Sequence, residues 1–146
     1  MTETQQVGEP TTTPAAAGAV DGERARVIVV GYSSKPEGRA ALGRALAEAR
    51  ARDAAVVVVH TSSDPEVADL QAELVASGVP FEVKEAADAL DPAEELITTA
   101  DAREAEFIVI GLRKRSPVGK LLLGSNAQRV LLDAACPVLA VKADIT

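Results

Sequence analysis

Five short β-branched apolar runs recur along this chain, and their spacing leaves few folds open. Val27 to Val30, Ala55 to Val59, Phe81 to Val83, Phe107 to Ile110 and Val138 to Val141 are each followed or preceded by a longer segment with apolar residues every three or four positions. Short runs of this kind predict strands, and the longer periodic segments predict amphipathic helices between them. Strands this apolar need cover on both faces. The order βαβαβαβαβ, with right-handed crossovers, gives an α/β domain with a doubly wound open sheet of five parallel strands.

The helices carry start signals. Ser34, followed by Pro36 and Glu37, has the pattern of a capping box, and Leu42, Ala45, Leu46 and Ala49 fall on one face of the helix that follows. Asp64-Pro65 opens a second helix that buries Val67, Leu70 and Leu74 and stops at Gly78. Asp91-Pro92 with Glu94 opens a third, turning Leu96 and Ile97 inward. Ser125 with Gln128 opens a fourth, with Ala127, Val130, Leu131 and Ala134 inside. The acidic residues Glu94, Glu95, Asp101, Glu104 and Glu106 are expected on a solvated helix side.

Residues Met1 to about Arg24 have almost nothing to bury, so 1–24 reads as a disordered tail and 25–146 as one domain. Aromatics make up only 2% of the chain against 47% apolar residues, so the core is aliphatic and no base-stacking platform is available. A net charge of −7 disfavours nucleic acid and anionic membrane as partners. The longest apolar runs fall far short of the roughly 18 residues that read as a membrane span, and no apolar leader stands at the N-terminus. The lone cysteine, Cys136, reads as inert core, and no disulfide framework is possible within the chain. A soluble, cytoplasmic protein is expected.

Against this acidic background, Gly111 to Val130 holds Arg113, Lys114, Arg115, Lys120 and Arg129 and no acidic residue. It leads into Gly124-Ser125-Asn126 at a predicted helix start, where unpaired N–H groups and the positive dipole end favour an anion. The same residues also serve as a plain cap and an exposed loop. In open parallel sheets, ligands sit at the carboxyl ends of the strands where the winding reverses. Gly31 to Lys35 and Gly111 to Asn126 share such a crevice if the first and fourth strands are neighbours. A P-loop is excluded, because Lys114 and Leu121 stand where Gly and Ser or Thr are required, and no G-x-G-x-x-G occurs.

The run IVIGLRKRSPVGKLLLGSNAQRVLLDAACPVLAVK, Ile108 to Lys142, resembles the C-terminal signature of the universal stress protein family: Gly, two residues, Gly, nine residues, then Gly-Ser or Gly-Thr. Gly111, Gly124 and Ser125 match it, and the middle glycine is Lys114 here. VIVVGYSSKPEGRAAL, Val27 to Leu42, is similar to the family's first strand and turn, with Ser33 at the usual Asp position. The resemblance implies a Rossmann-like sheet of order 3-2-1-4-5 and a homodimer through the last strand, Pro137 to Val141. It also implies a regulatory module in stress response, not an enzyme, with an unidentified protein partner.

In the nucleotide-binding branch the resemblance implies ATP, with Mg, between strands 1 and 4. Gly111, Arg113, Gly124, Ser125 and Asn126 would then surround ribose and phosphates, with Ile110 and Lys114 alongside. Gly31, Tyr32, Ser33 and Thr61 would border the adenine. Ser33 and Lys114 equally suit the branch that does not bind ATP and acts as a dimeric scaffold. A weak ATPase is a third reading, but no base or metal carboxylate stands in the right loop. His60, the lone histidine, follows the second strand, where it would border the adenine pocket, but a lone histidine there reads more readily as a polar strand end, and it is given no catalytic role.

Overall fold

The computed structural model describes residues 26–61, 64–86, 91–113 and 123–143. The expectations for residues 1–24, for Lys114 and for Arg115 to Lys120 lie outside these. Five strands are present, β1 (Val27–Tyr32), β2 (Ala55–His60), β3 (Phe81–Glu85), β4 (Phe107–Arg113) and β5 (Val138–Ala143). Four helices connect them, α1 (Pro36–Arg52), α2 (Asp64–Ser77), α3 (Pro92–Arg103) and α4 (Ser125–Asp133).

The sheet is parallel throughout, in the order β3-β2-β1-β4-β5. Alternation within each strand sorts the core into two layers. Ile28, Val30, Val56 and Val58 pack with Leu42, Ala45 and Leu46 of α1 and with Leu70 and Leu74 of α2. On the opposite face Val29, Val57, Ile108 and Ile110 pack with Ala93, Leu96 and Ala100 of α3 and with Val130 of α4. The chain therefore winds one way from β1 through β2 to β3, then crosses back to β4 and β5. The reversal falls between β1 and β4, whose register pairs Ile28 with Phe107 and Val30 with Val109.

Two of the expected caps are displaced by one residue. α1 begins at Pro36 with Lys35 as its N-cap, which makes no side-chain bond, so Ser34 forms no capping box. Proline fits the first helical position and drives the residue before it into extended conformation, here φ −74°, ψ 160°. α4 begins at Ser125 with Gly124 as N-cap, and the Gln128 side chain donates to the Leu123 carbonyl at 3.1 Å. At α3 the expected cap forms: the Asp91 carboxylate accepts from Glu94 N at 2.8 Å.

Two further expectations are corrected. Glu95 is not solvated: it is buried, with Lys84 Nζ at 3.0 Å and the Thr99 hydroxyl donating to it at 3.2 Å. The lysine compensates a carboxylate that would be costly to bury alone. Leu131 is exposed, because within α4 only Val130 reaches full burial. Ile97 is half-buried.

Candidate functional site

The β1–α1 turn is set by two hydrogen bonds and a close approach. Ser33 Oγ accepts from Lys35 N at 3.3 Å, and Arg39 N donates to the Lys35 carbonyl as α1 starts. A Cβ on Gly38 would stand 2.3 Å from Ser33 N, so the turn closes only over a glycine. The same helix then lies tightly on β4. A Cβ on Gly111 would stand 1.9 Å from the Glu37 carbonyl oxygen, too close for any side chain.

This packing leaves an opening on the other side of β1 and β4, at their carboxyl ends. A cavity of about 270 Å³ lies there. Its walls come from β1 and its turn (Gly31, Tyr32, Ser33), from the end of β2 (Val59, His60, Thr61) and from β4 (Ile110, Gly111). Pro92, Ala93 and Leu96 of α3 close one side, and Asn126, Ala127 and Val130 of α4 close another. Glu37 and Gly38 complete the lining.

Of the residues singled out from sequence, Gly31, Tyr32, Ser33, Thr61, Ile110, Gly111 and Asn126 line this cavity. Arg113, Gly124 and Ser125 do not. They are exposed, Arg113 at the end of β4 and the other two at the start of α4. Lys114 lies outside the described residues. Gly111 has a structural duty that sequence did not disclose, since it admits the backbone of α1. His60 ends β2 as read from sequence, and it is buried and lines the cavity.

The lining is chiefly apolar, with Glu37 as its one carboxylate among the described residues. Glu37 Oε1 is enclosed and has no hydrogen-bond donor among the described residues. Sequence reasoning missed it, because Glu37 reads there as the capping-box partner of Ser34. Arg129, counted from sequence with the basic run, is engaged elsewhere: it pairs with Asp91 at 3.1 Å, with Glu94, and with Asp133 at 3.5 Å. It thereby ties α4 to the start of α3, the two helices that wall the cavity.

Cys136 stands away from the cavity lining, half-buried, and burial raises its thiol pKa, which keeps it protonated and unreactive. Among the described residues no group of His, Cys, Asp and Glu is arranged to hold a metal, and no helix is long and apolar enough to cross a membrane.

Comparison with known proteins agrees with this architecture. A universal stress protein of Mycolicibacterium smegmatis is 49% identical over 127 residues, covering 80% of this chain and 97% of that protein. A solved universal stress protein from Archaeoglobus fulgidus has a TM-score of 0.66 at 30% identity, covering 81% of this chain and 98% of its own. An Archaeoglobus fulgidus universal stress protein solved in complex with dAMP has a TM-score of 0.61 at 24% identity, over 81% and 98% of the two chains. The model of the Universal stress protein family matches residues 24–90 and 66–142. With its parallel sheet wound about a crevice at β1 and β4, and with this similarity over residues 24–142, the chain belongs to the universal stress protein family.

Proposed function

We propose that this protein is a regulatory module that holds an adenine nucleotide, ATP with Mg being the expected form, in the cavity between β1 and β4. Residues 25–146 act as one domain, paired with a second copy through β5, and the nucleotide state alters the surface offered to a protein partner. The working compartment is the cytoplasm, and no metabolic substrate is turned over.

The observation that carries this reading is the position and lining of the cavity. It lies at the winding reversal of a parallel sheet, where ligands of such sheets bind. Val59, Leu96 and Ile110 supply apolar surface for a flat base, while Tyr32, Ser33, Thr61 and Asn126 supply polar atoms. At about 270 Å³ it falls just under the usual range of roughly 300–1,000 Å³ for ligand pockets, so it encloses base and sugar and leaves phosphates at the mouth. Beside it the first N–H groups of α4 and the exposed Arg113 at the end of β4 favour negative charge. The relative solved with dAMP supports the same ligand class.

Isothermal titration of ATP with magnesium into nucleotide-free protein tests this. Saturable binding near one nucleotide per chain is expected. Gly124→Asp should abolish it without unfolding the chain, because a Cβ on Gly124 meets nothing within 4 Å, while the new carboxylate repels phosphate. No heat at several temperatures would favour the dimeric scaffold, the reading that Ser33 at the usual Asp position also suits.

A further inference from the structure

The floor of the cavity lacks one side chain that the strand pattern would supply. On the sheet face covered by α3 and α4, Val57, Val29 and Ile108 stand side by side and are fully buried. Further along, toward the carboxyl ends, the same strands present Val59, Gly31 and Ile110 on that face, and all of these line the cavity. Gly31 thus leaves a notch between two branched side chains. It is only half-buried although it lies in the central strand, whereas Val59 and Ile110 are buried, so the notch is open.

The backbone does not call for glycine at this point. Gly31 has no positive φ, and the three atoms nearest to a Cβ built on it all belong to the Leu96 side chain, Cδ1 at 3.1 Å and Cδ2 at 3.6 Å among them. At Gly38 and Gly111, by contrast, a Cβ would strike backbone. Glycine inside a strand weakens it and often marks a close approach by a ligand or by other backbone. No backbone makes that approach here, so the room left by Gly31 belongs to the cavity. Resting on the nucleotide reading above, we propose that Gly31 and Leu96 are the specificity-determining pair of the cavity. The notch takes the edge of a planar ring, which therefore goes deepest, and Leu96 sets the width that the ring can have. Val59, Ile110 and Leu96 around it are apolar, so a phosphate there would lose its hydration without gaining a partner.

The test is isothermal titration of AMP into wild type, Gly31→Ala, Leu96→Val and the double variant, with a melting curve for each free protein. A methyl on residue 31 displaces Leu96 toward the cavity, because Leu96 is otherwise packed in the core. Gly31→Ala should therefore bind AMP roughly five- to a hundredfold more weakly, the range for overpacking. It should melt no lower than wild type, since glycine is the weaker residue in a strand interior. Leu96→Val shortens the opposing side chain, and the double variant should return to within about threefold of Leu96→Val alone. A purely structural role for Gly31 does not give that rescue. Equal affinity in wild type and Gly31→Ala, or a loss that Leu96→Val leaves untouched, overturns this inference while leaving the nucleotide reading intact. Lower melting of Gly31→Ala with unchanged affinity would make Gly31 a packing residue, which also overturns it. Wild type that binds neither AMP nor ATP removes the nucleotide reading and this inference together.

Discussion

Two glycines of the same signature do different work at the scale of single residues. Gly111 is required by packing: a Cβ there would lie 1.9 Å from the Glu37 carbonyl oxygen and 3.0 Å from Glu37 Cβ, and the first of these is backbone that cannot swing aside. Gly124 has open space around it and, as N-cap of α4, an ordinary extended conformation at φ −70°. Gly111→Ala should therefore push α1 off β4 and cost on the order of 1–3 kcal/mol, the usual range for overpacking. Gly124→Ser should stay within a few tenths of a kcal/mol, because serine and glycine are comparable N-caps. Thermal or urea unfolding of the two variants checks the contrast, and equal losses would mean that the α1–β4 contact yields easily. Sequence displayed both glycines as members of one spaced pattern. It could not tell a glycine that admits a helix from one with open space around it, because that difference lies in atoms brought together from distant parts of the chain.

At the scale of elements, the strands and the parallel sheet were legible because the strands are short apolar runs and every crossover carries a helix, while the strand order came from the family resemblance. Helix starts were legible to within a residue or two, but the cap itself was legible only at α3. Asp91 supplies it there, whereas proline at the first position moved the start of α1 past Ser34. The α3 wall of the cavity was not legible, since Ala93 and Leu96 show the same periodicity whether they face core or ligand. Asp91 has two roles that substitution can separate. One carboxylate oxygen caps α3 at 2.8 Å, and the other meets Arg129 of α4 at 3.1 Å. Asp91→Asn keeps a capping oxygen and loses the charge, so its cost should remain below about 1 kcal/mol, as for exposed ion pairs. Asp91→Ala loses both and should cost about 1–2 kcal/mol. Denaturant midpoints of the two proteins measure the split. A cost for asparagine as large as for alanine would show that the link to Arg129, rather than the cap, holds α3 and α4 together at the cavity.

At the scale of the whole molecule, the two edges of the sheet are unlike. β3 carries Glu82, Lys84 and Glu85, with Glu82 bonded to Arg103 at 2.8 Å, and charges along an edge discourage pairing with another chain. β5 reads VLAVKA, and its first four residues, Val138 to Val141, are all half-buried and apolar. Nothing described in the chain covers its outer side, since its hydrogen-bonded neighbour in the sheet is β4. The edge that invites a partner is thus β5, which gives the proposed dimer a physical reason independent of family resemblance. A charge of −7 on each copy opposes the encounter at long range, but the repulsion is screened once ionic strength shortens the Debye length to about 8–10 Å. Sedimentation velocity should therefore show a dimer that tightens from low to physiological salt. Val141→Lys should shift it to monomer, because lysine on an open edge can keep its stem against the core and its ammonium in water. Circular dichroism of the same sample must retain the wild-type signal for the comparison to count. A folded Val141→Lys protein that remains dimeric would place the contact away from β5. The exposed Leu131 and Leu132 of α4 would then be the next surface to charge.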